Sequence, residues 1–223
     1  MFLRNTKGVL WLCFLLLILL IQSGAMFIWA HHRYENISLE NIPAVIGVLQ
    51  FAVVIYFISM FVIRFAFPAF SLEKHSAWLI RSAPINLWRV FLGKLLFYSV
   101  LFGILGVLFA FLNRAAIQFS FPIGALFFTV VVTATTAITS FGLGLGALFP
   151  NFETDDPEVL STTLPGLVFI FCSLFYGGAV AFALQRFLIQ RSAYPLVIIF
   201  LLSFVVIGCF SYFPRYILRR LEF

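Results

Sequence analysis

Six long apolar runs, separated by short polar breaks, organise this chain. They cover residues 9–30, 44–63, 90–112, 123–149, 165–184 and 195–213. Each is about 20 residues with no alternation of apolar and polar positions. That length suits a helix crossing the hydrocarbon core, and the lack of a two-residue period argues against barrel strands. The pattern therefore predicts an all-α, polytopic membrane protein with six transmembrane helices in a single domain over 1–223. The start resembles a secretory signal, with basic Arg4 and Lys7, an apolar run and Ser23-Gly24-Ala25. The run continues through Trp29, which predicts a retained helix instead of a cleaved leader.

Two polar breaks stand out. Residues 64–89 hold Arg64, Lys74, Arg81 and Arg89; residues 150–164 hold Glu153, Asp155, Asp156 and Glu158 with no Lys or Arg. In the first, Pro68 is expected to stop the preceding helix, and Ser71 with Glu73 to start a short amphipathic helix over about 72–81. Pro84 ends it. Lys94, just inside the next run, is expected to snorkel to the headgroups. In the run 123–149, Gly142, Gly144 and Gly146 follow a series of threonines. Small residues at this spacing let a neighbouring helix approach closely, and they predict helix packing there.

Composition agrees with the pattern. The chain is 63% hydrophobic and 10% charged, with a mean hydropathy of +1.12. A net charge of +6 would suggest nucleic acid in a soluble domain, but these cations sit at span ends, where they set orientation. With the N-terminus inside, ten basic residues lie on the cytoplasmic side; Arg33, Arg114, Arg186 and Arg191, four in all, lie outside. This predicts both termini in the cytoplasm and puts the basic loop 64–89 and the acidic loop 150–164 on one side, facing each other.

The chemistry is sparse. Cys13, Cys172 and Cys209 lie inside apolar runs and read as small hydrophobes. His31-His32 reads as interfacial polar residues, not a metal site, and the acidic loop lacks the spacing of a calcium loop. No G-x-x-x-x-G-K-[ST], HExxH or GxSxG motif occurs, and no carboxylate sits mid-span. These features predict no enzyme activity, no cofactor, no metal and no nucleic-acid partner.

Three stretches carry a family resemblance: FLRNTKGVLW (2–11), RFAFPAFSLEKHSAWLIRSAPIN (64–86) and GLGLGALFPNFETDDPEVLST (142–162). Together they resemble bacterial ABC exporter permeases, the membrane subunits of type-2 exporters, and specifically their C-terminal half. The resemblance implies a permease subunit in a bacterial cytoplasmic (inner) membrane, driven by a separate cytoplasmic P-loop ATPase and completed by a second membrane half. It also implies that residues 71–82 are a coupling helix, with Glu73, Lys74, Trp78 and Arg81 meeting the ATPase. The alternative is a non-transporting accessory or scaffold protein, or a split or decayed half of such a permease. Members of that group usually carry another hydrophobic half before the matched region, so the resemblance leaves open a half-size subunit, one piece of a split gene or a decayed remnant. A lining without buried charge suits an apolar or amphipathic solute.

Overall fold

A computed structural model describes residues 42–73, 87–117, 121–151, 156–190 and 194–220, together with isolated residues between Leu10 and Ile28. Among the described residues every regular element is helical. We label the α-helices α1 (Ile42–Phe61), α2 (Leu87–Ile117), α3 (Phe121–Leu148), α4 (Pro157–Ser161), α5 (Leu164–Gln190) and α6 (Tyr194–Arg220). After α1 the chain enters the first break through a π turn (Val62–Ala66) and two 3-10 turns (Phe67–Ala69 and Ser71–Glu73).

Five helices among the described residues are long and apolar enough to cross a membrane: Ile46–Glu73, Trp88–Phe111, Ile123–Leu148, Leu164–Ile189 and Tyr194–Tyr212. The expected span over 9–30 lies mostly outside the described residues. Those described there, such as Phe14, Leu17 and Ile21, are helical and exposed. The orientation of the termini is likewise not fixed by the helices themselves.

α3 is the hub. It packs along α6 and α2, touches α1 and α5, and meets the π and 3-10 turns at its C-terminal end. Its middle is almost wholly buried, from Ser140 and Thr139 through Leu143. The buried hydroxyls bond within their own helix: Thr135 to the Val131 carbonyl (2.7 Å), Thr139 to that of Thr135 (2.7 Å), Ser140 to that of Ala137 (2.8 Å). A small polar side chain satisfied in this way fits a water-free interface without leaving a donor stranded. Between α5 and α6, the Tyr176 hydroxyl meets the Ser203 hydroxyl at 2.5 Å, and Ser203 also donates to the Ile199 carbonyl.

The outer faces are the reverse. Phe175 on α5 is 83% exposed, and Leu96 on α2 is 68% exposed, with Ile104, Leu201 and Phe204 similarly uncovered. An apolar surface this continuous is far larger than a monomer shows to water, and its solvent is lipid.

The first break departs from expectation. The helical path does not stop near residue 63 but runs on, buried, to Ser71. Pro68 has no N–H to donate to the carbonyl four residues back, and its ring crowds that carbonyl. The backbone widens into the π turn before the proline and tightens into a 3-10 turn around it, with the Phe67 N–H reaching back to the Val62 carbonyl. Irregular backbone at this depth is tolerated because protein surrounds it: Val62, Phe65, Ala66, Phe67 and Ala69 all belong to the core.

Candidate functional site: the knitted loop end of the bundle

The features worth calling a site gather at one end of the bundle, where residues 64–73 meet the starts of α2, α4 and α5 and the end of α3. Four polar contacts, in three groups, tie this end together. The Arg64 guanidinium pairs with the Glu158 carboxylate at 2.9 Å. Lys94 Nζ pairs with Glu73 at 2.6 Å and donates to the Ala69 carbonyl at 2.8 Å. The Asn151 backbone N–H donates to Ser71 Oγ at 3.1 Å. Each group joins segment 64–73 to a different neighbour: α4, α2, and the chain just beyond α3.

The two ion pairs differ in character. Glu158 is 58% exposed at its side chain, so its pair with Arg64 is wet and weak, on the order of 1 kcal/mol or less. Lys94 and Glu73 are 16% and 32% exposed, and Lys94 also lies 4.2 Å over the Phe70 ring. Lys94 therefore turns inward, whereas snorkelling to the headgroups was expected. A carboxylate, a carbonyl and an aromatic face meet it there, which repays leaving the interface.

Aromatic packing fills the space between these contacts. Phe70 stacks on Phe91 at 6.1 Å, and Trp88 on Phe91 at 5.4 Å. Phe67 meets Phe169 of α5, which in turn stacks with Phe141. The glycines of α3 face three different walls. A Cβ on Gly142 would overlap Val62, one on Gly144 would lie 3.0 Å from the Phe210 carbonyl oxygen of α6, and one on Gly146 would overlap the Phe67 carbonyl oxygen. α4 is built by Asp156, an N-cap whose carboxylate accepts from the Glu158 N–H at 3.0 Å, followed by Pro157. This cap aims Glu158 at Arg64.

Of the residues singled out in sequence, Glu73, Asp156, Glu158, Gly142, Gly144 and Gly146 come together here. Lys74, Trp78, Arg81, Glu153 and Asp155 lie outside the described residues, as does all of the expected 71–82 helix beyond Glu73; its first three residues form a 3-10 turn. The facing of basic and acidic loops is represented by Arg64 and Glu158. Sequence reasoning passed over Ser71 and Asn151 as partners, and nothing in their local pattern signals the contact. Among the described residues, no three His, Cys, Asp or Glu side chains group to hold a metal.

Stacked apolar spans with lipid-exposed faces and a polar, knitted end define a multi-pass helical membrane protein. Comparison with known families sharpens this. A family model described as "Putative ATP-binding cassette" matches residues 1–186, most of the chain, and the chain belongs to that family. No curated protein and no solved structure matches it.

The match corrects two expectations. The family is described by ATP binding and not as a permease, so the reading of the chain as a permease subunit is overturned. With it goes the expectation that the chain is no enzyme and leaves ATP to a partner. The one glycine-rich run, Gly142–Gly146, is packed shut against Val62, Phe210 and Phe67 and offers no open cradle for phosphate.

Proposed function

We propose that this chain is a membrane-embedded member of an ATP-binding cassette system, and that at its knitted end nucleotide-linked displacement is coupled to the helices. The observation that carries this reading is the threefold tie of residues 64–73 to α2, α4 and the end of α3 through Lys94, Glu158 and Asn151. A push on a segment joined to several spans at once moves them together; a free loop would absorb it. Family membership supplies ATP as the fuel.

In this reading the knitted end faces the cytoplasm of a bacterial cell, in keeping with its basic residues. Lys74, Trp78 and Arg81 beside Glu73, together with the acidic residues Glu153 and Asp155, form the surface through which this end meets the rest of that system. Residues 9–30 form a sixth span, both termini are cytoplasmic, and a second membrane half completes the bundle.

The test is a distance. Spin labels at Leu92→Cys on α2 and Phe149→Cys just beyond α3, both exposed, in a background without Cys13, Cys172 and Cys209, are followed in the assembly purified from its native membrane. Addition of Mg-ATP should shift the label separation, and ADP should return it. One unchanged separation in every nucleotide state would sink the proposal.

A further inference from the structure

A groove of about 760 Å³ runs along the outside of the bundle between α2 and α3. Leu96, Val100, Gly103 and Val107 form one wall, and Phe128 and Val132 the other. Its length along α2, from Leu96 to Phe111, is roughly 22 Å at 1.5 Å per residue. That exceeds the depth of one bilayer leaflet, roughly half of a 30 Å hydrocarbon core. A Cβ on Gly103 would meet nothing within 4 Å, so the groove is open there to whatever lies alongside.

A cation lies beyond the loop end of the groove. Helical spacing puts Arg89, Leu96, Val100, Gly103 and Val107 on one stripe of α2, because steps of seven, eleven, fourteen and eighteen residues all return to within roughly 40° of the start. Arg89 is exposed at the loop end of that stripe, roughly 10 Å along the axis from Leu96. Lys94, the other cation in this part of α2, is turned inward onto Glu73 and Ala69. A basic head above a continuous apolar trough matches one kind of molecule: an amphiphile with an anionic head and a long hydrocarbon tail.

We propose that the α2–α3 groove is a binding site for an anionic phospholipid, with one acyl chain along Leu96–Val107 and the phosphate headgroup at Arg89. The lipid is the site's occupant because the bilayer supplies it in contact with this face, and because the charge lies at headgroup level while the trough below is apolar.

Native mass spectrometry of the full-length protein, equilibrated with equal amounts of phosphatidylglycerol and phosphatidylcholine, tests the assignment. The protein should retain phosphatidylglycerol in excess. Arg89→Gln should reduce that excess by about fivefold, the order expected for one basic residue at an anionic surface. Arg186→Gln, at the other end of the bundle, should leave it unchanged. Gly103→Phe, or Val107→Trp if the first does not fold, should fill the trough and displace the bound lipid of either class. An undiminished excess in Arg89→Gln, or an equal loss in Arg186→Gln, would overturn the proposal. So would a Gly103→Phe protein that keeps its lipid but changes oligomeric state, since a second copy of the chain would then be the occupant.

Discussion

Gly146 of α3 lies so close beneath Phe67 that any side chain there would overlap the Phe67 carbonyl oxygen. The obstacle is backbone, and the backbone is held in a 3-10 turn with Pro68 as its next residue. Gly146→Ala should cost about 1–3 kcal/mol of stability. Gly142→Ala meets only the side chains of Val62 and Phe169 and should cost less; Gly103→Ala, with open space, should be neutral. Thermal unfolding in one detergent ranks the three, and equal costs would refute the packing argument.

The two ion pairs should respond differently to neutralisation. Glu158→Gln removes an exposed partner and should change stability by about 1 kcal/mol or less, an effect that added salt masks. Glu73→Gln removes the carboxylate from a largely covered Lys94 and should cost more. The double change Glu73→Leu with Lys94→Met should be better tolerated than Glu73→Gln alone, because no cation is then left uncompensated. A double-mutant cycle read by chemical denaturation checks the order.

Tyr176 and Ser203 link α5 to α6 inside the apolar layer. Tyr176→Phe should cost about 0.6 kcal/mol, the usual size of an interhelical hydrogen bond in a membrane. Ser203 keeps its own bond to the Ile199 carbonyl in that variant. Ser203→Ala strands the phenol and should be the more damaging of the two. Denaturation by a graded harsh detergent gives the comparison.

Asp156 caps α4 and orients Glu158. Asp156→Ala should cost about 1 kcal/mol locally, and Asp156→Asn much less. Hydrogen exchange at the Glu158 amide reads the cap directly, and equal protection in both variants would remove the cap from the account.

The spans were legible because lipid imposes a one-dimensional rule. A helix must be apolar for its whole crossing, so α2, α3, α5 and α6 can be read from hydropathy to within a few residues, α5 excepted at its far end. The end of α1 was not legible in the same way. Arg64 looked like an edge because a charge normally stays out of the bilayer, yet its partner Glu158 is supplied from a distant part of the chain. Pro68 announced a disturbance, but not that Gly146 and Phe169 would close on Phe67 and Phe91 on Phe70 beside it. Lys94 was read as pointing outward for want of any local sign that Glu73 and Ala69 would fold back over it. The resemblance led to a permease, and the family match replaced that with a family defined by ATP binding.

The π turn at Val62–Ala66 fixes the angular setting of everything that follows it. Adding or removing one residue in a helix rotates the remainder by roughly 100°. Relaxation of this turn to plain α-helix would swing Ser71 away from Asn151 and Glu73 away from Lys94 together. The end of α1 thus behaves as a key with one seating: its contacts close at a single rotation or not at all. A rotation at the turn carries Ser71 and Glu73 as one piece, so their contacts with Asn151 and Lys94 open and close as a pair.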